Sequence, residues 1–386
     1  MEHSLAELSI VIVSCAALSW VTLLLKQPLI LAYVACGIIA GPSFLGLVKD
    51  VQSLESLSKI GITMLLFLAG LVTQPKKILP VFRKTFFVNI ASSGFSFLLV
   101  GGFALILGLP RQEIPLVAVA LMFSSTLLAV KLLPTTALHQ QHMGTLLMAV
   151  LVFEDLVAIF VIMFLQGTLG DLSVTTLALV AIKGISILVG SLLLEQYLIR
   201  NAIMRFQRFE ETIYLTSIAW CMGIAGISSY LGFSAEIGAF IAGIAMARSP
   251  IALYIADRLR SFRDFFLVLF FFALGARADI IGMKSMFLPA LALAALIVVL
   301  KPLIIRQVLR WIGEPEKIAH QSGYRMGQTG EFALIISVFA LGANLLDTQS
   351  YNLVQMTTLI TLLISSVIIV KNFPTPLGTA ESLKRD

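Results

Sequence analysis

The chain has 386 residues, of which 59% are hydrophobic and 12% charged, and its mean hydropathy is +0.99. That balance excludes a soluble globular domain and makes lipid the main solvent of the fold. The formal charge of +6 is spread over short connections and forms no block of the kind that binds nucleic acid, so it reads as membrane topology.

Only helices or closed barrels satisfy every backbone polar group in hydrocarbon, and a spanning helix needs about 20 apolar residues. The apolar runs here are too long for barrel strands. They predict an all-α polytopic membrane protein of about thirteen spans, at 5–25, 28–47, 55–73, 84–107, 115–134, 144–165, 172–194, 211–231, 234–247, 264–281, 285–306, 318–343 and 352–371. Glu2, His3 and Glu7 flank the first run with no basic stretch before it, so a retained helix is expected there and not a cleaved signal. Cys15, Cys36 and Cys221 lie inside apolar runs and read as small hydrophobes, not as a disulfide or metal set.

Basic residues collect in the odd-numbered connections: Lys26; Lys76, Lys77, Arg83 and Lys84; Arg200, Arg205 and Arg208; Arg248, Arg258, Arg260 and Arg263; Arg310 and Lys317. The even-numbered ones hold little beyond Lys49, Arg111 and Lys284. Because basic residues stay cytoplasmic, the amino terminus is expected outside and the tail, with Lys384 and Arg385, inside. The membrane domain is expected at 1–373 and a short cytoplasmic tail at 374–386.

The second span, AYVACGIIAGPSFLGL, resembles the ninth, SAEIGAFIAGIAMARSP, and the third ends LLFLAGLVTQP where the tenth has LFFFALGARAD. Partners seven spans apart sit in opposite orientation, which is the inverted-repeat plan of secondary transporters. The same offset pairs spans five and twelve, the two most interrupted runs. One carries Phe123-Ser124-Ser125-Thr126 and the other Gly327-Gln328-Thr329-Gly330-Glu331. Matching polar interruptions in two halves point to a transporter's binding site near the midplane.

Span six places Glu154 and Asp155 about ten residues, or roughly 15 Å, from either end, too far to reach the headgroups. A carboxylate there costs at least about 2.5–3.5 kcal/mol, so it faces a cavity or a partner and marks an ion or proton path. Burial favours a carboxyl's neutral form and a nearby cation its charged form, so proton and alkali cation compete for one site. Neighbours on a helix point roughly 100° apart, so the two acids can have different tasks. Lys301, followed by Pro302, is a natural counter-charge for the pair, although its stem could also snorkel towards the level of Arg306. Lys183 reads as snorkelling or structural, Glu236 as interfacial, and Glu331 as either a cap on the broken helix or a partner for Arg325.

Other chemistries find no motif. His3, His139, His142 and His320 fall at termini or connections without an HExxH, which argues against a zinc intramembrane protease, and the chain has no nucleotide-binding loop of a primary pump. It also has no TVGYG-like filter. Neither enzymatic activity nor a cofactor is expected.

The strings AYVACGIIAGPSFLGL, GITMLLFLAGL, FSSTLLAVKLLP, FEDLVAI, EIGAFIAGIAMA and RMGQTGEFALII resemble, in order and over nearly the whole chain, the signatures of Kef-type members of the monovalent cation:proton antiporter families. The resemblance implies a thirteen-helix homodimer of the sodium/proton antiporter-like fold, in the inner membrane. In it, a core bundle with two crossing discontinuous helices slides against a dimerisation scaffold in an elevator movement. It matches Asp155 to the family's essential ion-binding aspartate, Thr126 to the crossing-helix break, and Lys301 to the lysine that pairs with the acidic site. Two departures stand out. The position before the aspartate is usually Asp in electrogenic relatives and Asn or Gln in electroneutral or Kef-like ones, whereas here it is Glu154, which leaves the coupling stoichiometry open. Kef-type proteins commonly carry a cytosolic nucleotide-binding domain after the last helix, whereas this chain runs about fifteen residues beyond span thirteen. A regulatory domain or subunit outside this chain is therefore one expectation and a different regulation the other.

The expectation is thus exchange of K⁺ or Na⁺, K⁺ favoured, for H⁺. Asp155, Glu154, Ser125 and Thr126 bind ion and proton, Lys301 is the counter-charge, and Gln328, Thr329 and Glu331 support the broken helix. The alternatives are a cation channel or an ion-sensing protein on the same fold; a carrier of small organic anions is disfavoured by the acidic site.

Overall fold

The computed structural model describes residues 2–25, 27, 29–42, 44–48, 51–72, 82–133, 142–167, 174–206, 209–233, 235–249, 251–277 and 282–375. Helix occurs within every apolar run read from the sequence. The elements are α1 (Glu2–Leu24), α2 (Leu29–Ala40), α3 (Val51–Val72), α4 (Phe82–Leu107), α5 (Ile114–Met122), α6 (Thr126–Lys131), α7 (His142–Gly167), α8 (Val174–Leu194), α9 (Arg200–Arg205), α10 (Glu210–Tyr230), α11 (Ala235–Met246), α12 (Ala252–Arg277), α13 (Phe287–Trp311), α14 (Glu316–Arg325), α15 (Glu331–Gly342) and α16 (Thr348–Asn372).

Among the described residues seven helices are long and apolar enough to cross a membrane, over Ala6–Leu24, Thr85–Leu107, His142–Ile162, Ile182–Arg205, Glu210–Tyr230, Lys284–Trp311 and Thr348–Asn372. Four apolar helices are shorter: Leu29–Ala40, Lys59–Leu68, Ile237–Met246 and Glu331–Gly342. Large apolar side chains such as Leu98, Ile106, Ile182 and Leu288 are exposed, as lipid-facing residues are. Glu236 lies on α11, but its side chain is outside what the structure describes, and Lys26, Lys49, Lys76, Lys77 and Arg208 of the basic connections and 376–386 of the expected tail are wholly outside it.

The chain divides into two compact units, one comprising Met1–Ala17, Tyr33–Lys76 and Ile159–Arg277, the other Leu18–Ala32, Lys77–Ala158 and Ala278–Asp386. In the first, α3 packs against α11 and α12, and α11 also against α8 and α10. Small residues let these backbones touch. A Cβ on Gly70 would lie 2.5 Å from the Phe240 carbonyl oxygen, and one on Gly243 would collide with that of Phe67. Lys183 of α8 donates to the Leu231 carbonyl at 3.1 Å, closing the end of α10. Cys15, Cys36 and Cys221 are buried and not in disulfides.

In the second unit α13 packs against α4, α14 and α16, while α5 packs against α4, α15 and α16. Val88, Ala129, Leu147, Val150, Ile305 and Ala319 bring α4, α6, α7, α13 and α14 into one apolar cluster. Pro302 lies inside α13 without ending it. Gly323 of α14 and Gly327 of the break that follows face it: a Cβ on Gly323 would lie 2.5 Å from the Pro302 carbonyl oxygen, and one on Gly327 would collide with the proline ring. This close approach holds Lys301 beside the point where α14 stops.

Gly243→Val should drive a side chain into the Phe67 carbonyl and lower thermal stability in detergent by about 1–3 kcal/mol, the usual cost of overpacking. Gly102→Val, with no heavy atom within 4 Å of the new Cβ, should melt close to the unaltered protein. Equal melting of the two would refute the backbone-on-backbone contact.

Candidate functional site

Two helices of the second unit are interrupted. After α5 the chain leaves helical geometry at Phe123, Ser124 and Ser125 before α6 begins at Thr126. After α14 it does so over Met326–Gly330 before α15 begins at Glu331. These are the two interruptions expected from the sequence, and they touch. Gly330 donates its N–H to the Phe123 carbonyl at 3.0 Å, the Ser124 hydroxyl donates to the Met326 carbonyl at 3.0 Å, and Gln328 Nε2 donates to the Ser125 carbonyl at 3.4 Å. A Cβ on Gly330 would stand 2.5 Å from the Ser124 carbonyl oxygen, so the lack of a side chain lets the segments meet.

Helix α7 brings its two acids to this junction, 1% and 2% exposed respectively. Pointing about 100° apart, they take different partners. The Thr126 hydroxyl lies 3.0 Å from both Asp155 carboxylate oxygens and donates to them. Glu154 Oε2 accepts the Ser124 backbone N–H at 2.6 Å, while its Oε1 is buried without a hydrogen-bond partner. Asn89 of α4 donates to the Val150 carbonyl at 3.2 Å and steadies α7 one turn before the acids.

Lys301, 1% exposed, donates from Nζ to the Met122 carbonyl at 2.8 Å and to the Gln328 carbonyl at 3.4 Å. Its ammonium thus joins the end of α5 to the second break, at the junction where Glu154 and Asp155 make their hydrogen bonds. The cation also sits at the C-terminal end of α5, where the helix dipole favours it.

Ser125 has two tasks. Its hydroxyl accepts the Leu128 N–H at 3.1 Å, capping α6, and donates to Glu331 Oε2 at 3.0 Å. Glu331 stands in the first turn of α15, whose N-cap is Gly330. Arg325 instead donates to the carbonyls of Leu132 at 2.8 Å and Pro374 at 2.7 Å. Gln328 Nε2 also donates to the Arg325 carbonyl at 2.9 Å, and its Oε1 accepts from the Ser365 hydroxyl at 3.0 Å. Thr329 shares a 2.7 Å hydroxyl hydrogen bond with Thr361.

The eight residues singled out from the sequence therefore lie together. Sequence reasoning missed Ser124, whose N–H and hydroxyl both serve the junction, and Thr361 and Ser365 of α16. The last two did leave a signal: Thr357, Thr358, Thr361, Ser365 and Ser366 recur at helical spacing and are all buried, a polar stripe in a span read only as apolar. The junction offers hydroxyl, carbonyl and carboxylate oxygens, a hard-donor set that suits alkali cations and protons.

Lys301→Met should leave Glu154 buried without its counter-charge and lower stability by about 3–5 kcal/mol. Adding Glu154→Gln to that variant should recover much of the loss in thermal unfolding. Strictly additive losses would show that the two charges are not coupled.

Comparison with known proteins comes to the same fold. A family model described as sodium/hydrogen exchanger, transmembrane, matches residues 10–371. The glutathione-regulated potassium-efflux system protein KefC of Salmonella typhimurium is 28% identical over 353 residues, covering 90% of this chain and 57% of KefC. The chain thus spans little more than half the length of the KefC relatives that it matches. The iron transporter MagA of Paramagnetospirillum magneticum is 26% identical over 353 residues, covering 88% of this chain and 79% of MagA. The structure of the sodium proton antiporter MjNhaP1 from Methanocaldococcus jannaschii superposes with a TM-score of 0.73 at 20% identity, covering 100% of this chain and 99% of that one. The fold is therefore that of MjNhaP1.

Proposed function

As the chain belongs to the transmembrane sodium/hydrogen exchanger family, we propose that it is a secondary active antiporter that exchanges a monovalent cation, K⁺ in preference to Na⁺, for protons. The observation that carries this reading is the setting of Asp155: a buried carboxylate whose two oxygens meet a rotatable hydroxyl, at the contact of two helix breaks. Thr126 can turn its proton away and present a lone pair, so the same two groups suit either a proton on Asp155 or a bare cation beside it.

The other residues divide the work. Glu154, fixed by the Ser124 N–H and balanced by Lys301, holds the first break open. Ser125 contributes a hydroxyl between Asp155's partner Thr126 and Glu331. Gln328, Thr329 and Glu331 keep the second break in place. The ion enters where the half-helix starts at Thr126 and Glu331 converge, and the unit holding every one of these residues carries it across by an elevator-type movement.

The proposal extends to thirteen crossings in inverted repeats and to a homodimer in the inner membrane. The amino terminus lies outside and the tail inside, and regulation comes from a domain or subunit outside this chain. Two interrupted helices, α5–α6 and α14–α15, and two short ones, α2 and α11, at matching offsets in the chain support the repeat. The KefC name supports K⁺ as cargo; the site itself suits either alkali ion.

The test is ion flux in proteoliposomes with an internal pH dye, adding K⁺, Na⁺ or Li⁺ with and without a membrane-potential clamp. Proton movement is expected on adding K⁺, more weakly with Na⁺, and lost in Asp155→Asn. Exchange that persists in Asp155→Asn would remove Asp155 from the site. Current without obligatory proton movement would indicate a channel, and proton release with Fe²⁺ alone would favour the cargo named for MagA.

A further inference from the structure

Among the described residues Arg325 is the largest side chain that is completely buried, and an ionised group inside a membrane protein needs a reason. It is the last residue of α14, directly before the second break. Its own carbonyl accepts from Gln328 Nε2 at 2.9 Å, and the next carbonyl, that of Met326, accepts from the Ser124 hydroxyl. The guanidinium reaches elsewhere. One terminal nitrogen donates to Leu132, just past the end of α6, at 2.8 Å. The other donates to Pro374, just past the end of α16, at 2.7 Å. Its Nε has no hydrogen-bond partner.

Helix α6 has six residues, roughly 9 Å at 1.5 Å per residue. A helix that short has no stability of its own; its position comes from what holds its ends. At the start, the Ser125 hydroxyl caps the Leu128 N–H, and Thr126, the hydroxyl partner of Asp155, is the first residue. At the other end, Arg325 grips Leu132. We propose that Arg325 is a positioning residue for the ion site: it clamps the far end of α6 to the second break and so sets the Thr126 hydroxyl against Asp155. The charge suits carbonyls at helix ends, and the rigid planar fork presents two separate nitrogens in fixed geometry, one to each carbonyl. The inference rests on the antiporter reading for its transport consequence but not for its structural one.

Two measurements on the full chain in proteoliposomes test it. In the K⁺-driven pH-dye assay, Arg325→Met should raise the half-saturating K⁺ concentration about tenfold, the worth of one misplaced hydrogen bond, with maximal rate little changed. Thr126→Val should do the same, and the double variant should be no worse than either single one, because both act on one contact. Arg325→Lys, which keeps the charge and loses the fork, should fall between. Independently of transport, hydrogen–deuterium exchange across residues 126–133 should rise in Arg325→Met more than in α13. Unchanged exchange there overturns the proposal, and so does a fall in rate at constant half-saturation or multiplicative effects of the two substitutions. If Arg325→Met does not fold, the same measurements on Arg325→Lys decide. If the unaltered protein moves no protons with any cation, the antiporter reading fails, and the exchange measurement still decides the role of Arg325.

Discussion

A helix that stops inside hydrocarbon leaves backbone N–H and C=O groups that water cannot reach, and this structure interrupts two helices at one place. The inner ends are answered group by group. At the end of α5 the Met122 carbonyl is taken by Lys301 and the Phe123 carbonyl by the Gly330 N–H. At the start of α6 the Ser124 N–H goes to Glu154 and the Leu128 N–H to the Ser125 hydroxyl. At the end of α14 the Met326 carbonyl takes the Ser124 hydroxyl, and ahead of α15 the Thr329 N–H goes to Thr361. The charges follow the same logic. Glu154 and Glu331 stand at helix starts, where the dipole is positive, and Lys301 and Arg325 stand at helix ends, where it is negative. The charged cluster is thus first a solution to a backbone problem, and any ion chemistry is built on that solution.

The solution depends on packing elsewhere in the same unit. Lys301 reaches Met122 because Gly323 and Gly327 let α14 lie directly on Pro302. Gln328 keeps its place because Ser365 of α16 satisfies its oxygen. Glu154 and Asp155 arrive in register because α7 joins α4, α6, α13 and α14 in one apolar cluster. Small residues, a proline and a stripe of hydroxyls therefore matter as much as the acids.

The two acids, adjacent in sequence, are unlike in environment. Glu154 accepts a backbone N–H, and Asp155 meets a side-chain hydroxyl. A backbone donor cannot rotate, whereas a hydroxyl can. This supports Asp155 as the group that exchanges partners and Glu154 as fixed framework.

Much of this was legible in the amino-acid sequence. Apolar run length marks helices, because a chain in lipid must satisfy its backbone internally. Charged residues at mid-span mark the interior, because exposure there costs too much. The polar strings at 123–126 and 327–331 mark the two breaks, because polar and glycine residues at mid-span disrupt an otherwise apolar run. What the sequence could not decide was pairing. Whether Arg325 answers Glu331 or the carbonyls of Leu132 and Pro374, which carbonyls Lys301 reaches, and which hydroxyls of α16 reach the junction all depend on directions and distances between helices far apart in the chain. Residue type sets what each group can bond to; only the tertiary arrangement sets which partner lies within about 3 Å.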